Sequence, residues 1–289
     1  MSHRSELPGK TVNRRDFMVT ASAAAGFCLL NCEVSGQQVA APEIARALDD
    51  AQISHGPVTF QSGNGEITAY LSRPKRPGRF PLVIVVTGSS IGDEYIQNLT
   101  AMLAQQGFIG IAPDIFSLQK DSMTPEEKRK VFVEQITDER IYQDLQAAID
   151  YLKKQNYAQA NRIGITGFCF GGRCALMFAA HSKGIDAVVP FYGNLRTPAF
   201  ANRKPDPLDA IGKLKVPIQG HYAQNDPEIP LDQLRGFEQS LKRQGVRAEF
   251  FTYDAPHGFF AYNRRTYNKA AAEDSWQRTV EFFRKYLAQ

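Results

Sequence analysis

Residues 162–180 read RIGITGFCFGGRCALMFAA, an apolar run, a thiol set between glycines, and an alanine-rich run. The first part suits a buried strand and the last a packed helix, so the glycines mark a sharp corner between them. Gly167, Cys169 and Gly171 form the spacing glycine–x–nucleophile–x–glycine. At such a corner the strand and helix backbones approach too closely for side chains at the flanking positions, and the central residue is forced outward. A thiolate there also faces a helix N-terminus, whose dipole stabilises it. The bland alternative is a buried free cysteine in a tight turn. The choice depends on what the rest of the chain supplies.

Outward from the corner, strands alternate with helices. Residues 58–74 read as an antiparallel hairpin with a Gly/Asn turn at Gly63–Gly65. PLVIVVTG (81–88) and FIGIAPD (108–114) are continuous β-branched or apolar runs of strands buried on both faces, and a helix over 95–106 fits between them. A polar excursion over 117–130 holds a short helix starting at Thr124-Pro125, followed by a periodic helix over 138–154. After the strand RIGITGF and a helix over 172–180 come strand DAVVPFYG (186–193) and an irregular loop over 194–213. Strand VPIQGHY (216–222), a helix over 231–244, strand AEFFTYD (248–254) and a helix over 270–286 complete the chain. This order predicts an α/β fold, a mostly parallel sheet with helices on both faces, in a single domain over 53–289.

The composition, 43% hydrophobic and 22% charged with formal net charge +4, is that of an ordinary globular protein. No basic block interleaved with aromatics is present, which argues against nucleic-acid binding. The four cysteines are Cys28, Cys32, Cys169 and Cys174, too few for a disulfide framework. No His/Cys cluster has zinc-ligand spacing, so neither metal nor cofactor is expected. Residues 1–41 read as an export signal and linker. Arg14-Arg15-Asp16-Phe17 precedes an apolar run ending near Leu30, too short to span a bilayer comfortably. The pattern resembles a twin-arginine signal, which implies export in a folded state to the periplasm without stable membrane insertion. A retained anchor is the alternative.

A nucleophile needs a base, and the base an orienting group. In an α/β-hydrolase sheet these follow in the order nucleophile, acid, base, each on a loop past a strand's carboxyl end. Asp226, in HYAQNDPEIP (221–230), lies just past one such strand, and His257, in YDAPHGFF (253–260), just past the next. Of the five histidines, His3 falls in the signal, His55 stands at the domain's leading edge ahead of the first predicted strand, His181 ends the elbow helix and His221 lies within a strand. The oxyanion hole needs only backbone N–H groups, for which Phe170 and Ser89 are the natural pair. TGSSIG (87–92) also reads as a flexible loop, or as Ser89 and Ser90 offering hydroxyls.

The stretches GFCFGG, HYAQNDPEIP and PHGFF, with the closing block RRTYNKAAAEDSWQRTVEFFRKYL, resemble the dienelactone hydrolase family, a cysteine branch of the α/β-hydrolases. The resemblance runs from about Val58 to the C-terminus. It implies a Cys169–Asp226–His257 triad that hydrolyses small-molecule esters or lactones. Two features of the family are missing. Its His-Glu pair after the third strand is replaced by Thr87 and Gly88, and neither Asp93 nor Glu94, further on, is expected to reach the thiol. The arginines that clamp a substrate carboxylate fall at Leu118 and Ala261, with Arg264 and Arg265 out of register. Without them a neutral ester or lactone is the expected substrate. The alternative is a fold retained as a binding module after its chemistry was lost. Oligomeric state is open.

Overall fold

The strand that precedes the corner, β5 (Ala158–Phe168), lies near the middle of an eight-stranded sheet ordered β1-β2-β4-β3-β5-β6-β7-β8. The other strands are β1 (Ile53–Ser62), β2 (Gly65–Pro74), β3 (Phe80–Val86), β4 (Ile109–Pro113), β6 (Ala187–Phe191), β7 (Ile218–Ala223) and β8 (Ala248–Tyr253). The structure, a computed structural model, describes residues 46–88, 90–196 and 203–287. The export-signal segment 1–41 and Ser89 lie outside the described residues.

β1 pairs antiparallel with β2, and β2 with β4; every other neighbouring pair is parallel. β3, β4, β6 and β7 are buried at every position. The unbroken apolar runs of β3, β4 and β6 have no polar face to give to water, so helices must cover both sides. Fully burying Val83, Ile84 or Ile111 contributes about 1.5–3 kcal/mol each. The helices are α1 (Glu94–Gln105), α2 (Pro125–Glu134), α3 (Asp138–Lys153), α4 (Phe170–His181), α5 (Leu231–Arg243) and α6 (Lys269–Leu287). Thr124 opens α2 through a reciprocal capping box with Glu127, and Pro125 begins the helix, as the sequence leads one to expect.

The boundaries differ in several places, among them the start of β5 at Ala158, four residues before Arg162. β1 begins at Ile53, because its ladder with β2 runs unbroken from Ile53 opposite Pro74 to Ser62 opposite Gly65. His55 is therefore part of the sheet, its Nδ1 2.7 Å from the Tyr70 hydroxyl. Upstream of the expected domain edge, a 3-10 turn at Ala47–Asp49 buries Ala47 against Ala101 and Ala104 of α1. The elbow helix starts at Phe170, immediately after the thiol.

β7 also buries His221 completely. Its Nδ1 lies 2.9 Å from the Tyr253 hydroxyl and its Nε2 3.2 Å from Thr279 Oγ1. Burial, aided by the Arg278 charge, lowers its pKa from 6.5 to about 3. As pH falls below 6.5, the unfolded chain protonates this histidine while the folded chain does not. The stability it provides is complete above pH 6.5 and drains away between there and pH 3. Urea unfolding at pH 7 and pH 4.5 should show about 2–3 kcal/mol less of this loss in His221→Gln than in the wild type. Equal losses in the two proteins would contradict it.

Candidate active site

Cys169 sits between β5 and α4 with φ 57° and ψ −124°, a conformation that costs a non-glycine residue about 1–3 kcal/mol. Its surroundings hold it there. The Cys169 N–H donates to the Phe191 carbonyl at 3.1 Å, and the Cys169 carbonyl accepts from Gly172 N–H at 2.9 Å. A Cβ on Gly167 would stand 2.1 Å from the Gly171 carbonyl oxygen, and one on Gly171 2.1 Å from that of Val86. The two glycines flanking the thiol are thus required by backbone contact, of β5 with α4 and of α4 with β3. Gly172 and Gly193 form a second close approach, with a Gly193 Cβ only 2.6 Å from the Gly172 carbonyl carbon. The sequence reading assigned nothing to Gly193; its signal was a glycine directly after an apolar strand.

Past the carboxyl ends of β7 and β8, Asp226 and His257 converge on this corner. His257 Nε2 lies 3.1 Å from Cys169 Sγ, and its Nδ1 2.7 Å from Asp226 Oδ2. The other Asp226 oxygen accepts the Glu228 N–H at 2.9 Å, fixing the carboxylate. The Asp226 side chain is fully buried, whereas that of His257 keeps 17% of its surface exposed. Burial disfavours the His257 imidazolium, but the Cys169 sulfur and the Asp226 carboxylate outweigh it and hold its pKa well above the ordinary value of 6.5. Chemically, this is a thiol beside a base that an oriented carboxylate keeps in one tautomer. Cys174, one turn along α4, is different: burial pushes its thiol up to about 12. Both thiols are free.

Tyr192, which the sequence reading passed over, adjoins the histidine. It has φ 37°, is buried, and sets its ring centroid 4.9 Å from that of His257. Burial, then the neighbouring Cys169, raises its phenol pKa, with the Arg264 charge opposing.

Phe170 opens α4, so its N–H belongs to the first turn, where helix amides point toward the reacting end. Gly88 runs alongside, its Cβ position 3.9 Å from that of Phe170. Ser89, the other expected oxyanion residue, lies outside the described residues. The Ser90 hydroxyl donates to Asp114 at 3.5 Å. Asp93 caps α1 at Tyr95 N–H, and Glu94 pairs with Arg46 at 3.0 Å, so both acids are engaged away from the thiol. The Phe170 ring lies against Phe132 and under the Arg203 guanidinium at 5.0 Å. Arg203 and the fully buried Arg173 both bind Asp138, at 3.1 and 2.8 Å, tying α3 and the loop after β6 to the corner. Among the described residues, no group of three or more His, Cys, Asp or Glu side chains could hold a metal.

A profile of the Dienelactone hydrolase family matches residues 67–287. A protein of Methylorubrum extorquens named "Putative carboxymethylenebutenolidase" is 31% identical over 287 residues, covering 98% of this chain and 96% of the relative. A Bradyrhizobium protein named "Probable 2-oxo-3-(5-oxofuran-2-ylidene)propanoate lactonase" is 34% identical, covering 78% of this chain and 92% of its own. A Klebsiella pneumoniae crystal structure described as a "Putative Dienelactone Hydrolase" superposes with a TM-score of 0.74 at 33% identity, covering 81% of this chain and 99% of that one. With the match spanning nearly the whole described sheet, the chain belongs to the dienelactone hydrolase family.

Proposed function

We propose that the protein hydrolyses small carboxylic esters or lactones through Cys169, His257 and Asp226. The observation that carries this reading is the continuous relay from Sγ through the imidazole to a buried carboxylate, at 3.1 and 2.7 Å. The Cys169 thiolate attacks the carbonyl carbon, and the carbonyl π electrons move to oxygen. Phe170 N–H, with Ser89 N–H as the expected second donor, stabilises that oxyanion. Collapse breaks the carbon–oxygen ester bond, and His257 Nε2–H gives its proton to the departing alkoxide. In a lactone that alkoxide stays tethered to the acyl group. His257 then takes a proton from water, whose oxygen attacks the thioester. The acid departs and the thiolate returns. Asp226 keeps the imidazole in the right tautomer and stabilises its cation.

With no family glutamate, the thiolate rests on the imidazolium and the helix dipole. With no bidentate arginine clamp in the family's register, the favoured substrate is neutral. The test is hydrolysis of p-nitrophenyl acetate, neutral γ-lactones and a carboxylate-bearing lactone by wild type and Cys169→Ala. Turnover of a neutral substrate that vanishes with the thiol supports the reading. Equal release by both proteins removes it, and a clear preference for the anionic lactone would move recognition to Arg264.

The Arg14-Arg15 segment supports delivery of the folded enzyme to the periplasm. Arg14→Lys/Arg15→Lys should leave the protein in the cytoplasmic fraction of expressing cells. Unchanged periplasmic recovery would overturn that placement.

A further inference from the structure

At the end of the sheet opposite Cys169, we infer an anion site that takes the phosphate group of a small molecule or a lipid headgroup. The turn from β2 to β3 reads RPKRPGRF (73–80) and carries Arg73, Lys75, Arg76 and Arg79. Together with Asn156 and Tyr157, just before β5, these four side chains line a cleft of about 420 Å³. The inference is independent of the ester-cleaving reading, because the cleft lies at the amino ends of β3 and β5 and the thiol lies past the carboxyl end of β5.

Three of the cations are held in place. The Arg73 guanidinium lies 4.6 Å over the Tyr157 ring and donates to the Pro74 carbonyl at 3.1 Å. That of Arg76 lies 4.5 Å over the Phe80 ring. Arg79 donates from Nε and Nη2 to the Ala158 carbonyl at 3.0 and 2.9 Å, which leaves Nη1 to point elsewhere. Among the described residues, the ion pairs closer than 4.0 Å involve none of the four. Asp50, whose charge feels Lys75, is already bound by Gln52 N–H and the Gln105 amide. Like charges gathered this closely repel one another, and among the described residues no carboxylate forms an ion pair with any of the four to offset the repulsion. A bound anion would. Ring stacking and carbonyl contacts have already fixed the arginine stems, so little side-chain entropy is lost on binding. Planar guanidinium forks match the paired oxygens of a phosphate. Pro74 and Pro77 stiffen the turn that displays them.

The experiment uses the full chain and Lys75→Gln/Arg76→Gln, two exposed positions, with the urea midpoint as the check on folding. Inorganic pyrophosphate is titrated calorimetrically at 50 mM and 300 mM NaCl. Cosedimentation is measured with phosphatidylcholine vesicles, with and without phosphatidylglycerol. Pyrophosphate binding that weakens at least 10-fold in the variant and falls with salt assigns a soluble phosphate ligand. Sedimentation that needs phosphatidylglycerol and is lost in the variant assigns a headgroup. Binding of neither probe, or equal binding by the two proteins, overturns the site. Should the double variant unfold, Arg76→Gln alone must lower binding at least 3-fold.

Discussion

Cys169→Ala should lower kcat/KM for p-nitrophenyl acetate by at least about 10³-fold, and His257→Ala by a comparable factor, because residues acting as one unit fail together rather than additively. The double variant should be scarcely worse than either single one. What survives is catalysis by oxyanion donors and binding alone, and KM should move far less than kcat. An NMR titration gives a second readout that does not depend on turnover. In the wild type the His257 imidazolium persists well above pH 6.5, since the sulfur and Asp226 outweigh burial. Cys169→Ala removes the strongest of the favourable contributions, so the His257 titration must shift downward. An imidazole that titrates alike in both proteins would show that no thiolate–imidazolium pair forms. Activity retained within about 10-fold in Cys169→Ala would mean that another nucleophile operates.

Gly171→Ala should destabilise the fold by about 4 kcal/mol or more, or prevent folding outright, although it adds one methyl group. The new Cβ would stand 2.1 Å from the Val86 oxygen and 2.4 Å from the Val86 carbonyl carbon. Both atoms belong to the backbone of a fully buried strand, so neither can yield as a flexible side chain would. Helix α4 would have to lift away from β3, carrying Phe170 N–H and Cys169 out of position. Gly236 in α5 is the matched control, as nothing lies within 4 Å of its Cβ position. There alanine should stabilise the protein by up to about 1 kcal/mol through helix propensity. Urea midpoints of the two variants should move in opposite directions. Gly171→Ala at wild-type stability would contradict the close packing of elbow and sheet.

Much of this fold is written in local pattern. Continuous apolar runs at 82–86 and 109–113 have only one stable use, in strands covered on both faces, and the turn and capping residues between them fix the alternation with helices. Glycines at 167 and 171 announce a corner because no other residue survives there. Edges were less legible. The upstream half of β1 was missed, since a half-exposed edge strand is decided by its hydrogen-bond ladder with β2 and not by its own apolarity. His55 moved into the sheet for that reason.

The amino-acid sequence by itself determined an α/β sheet with a thiol on a strand-to-helix corner, because period, turn chemistry and glycine spacing are properties of neighbours in the chain. Order alone put Asp226 and His257 past successive strands, a statement about which end of the sheet they occupy. Only the tertiary structure decided that the His257 ring comes within hydrogen-bonding distance of Cys169 on one side and Asp226 on the other. It also decided that Gly193 abuts Gly172, that Tyr192 faces His257, and that Arg203 covers Phe170. Those contacts join segments far apart in sequence, and strand twist, helix packing and side-chain rotamers set them, none of which leaves a periodic trace.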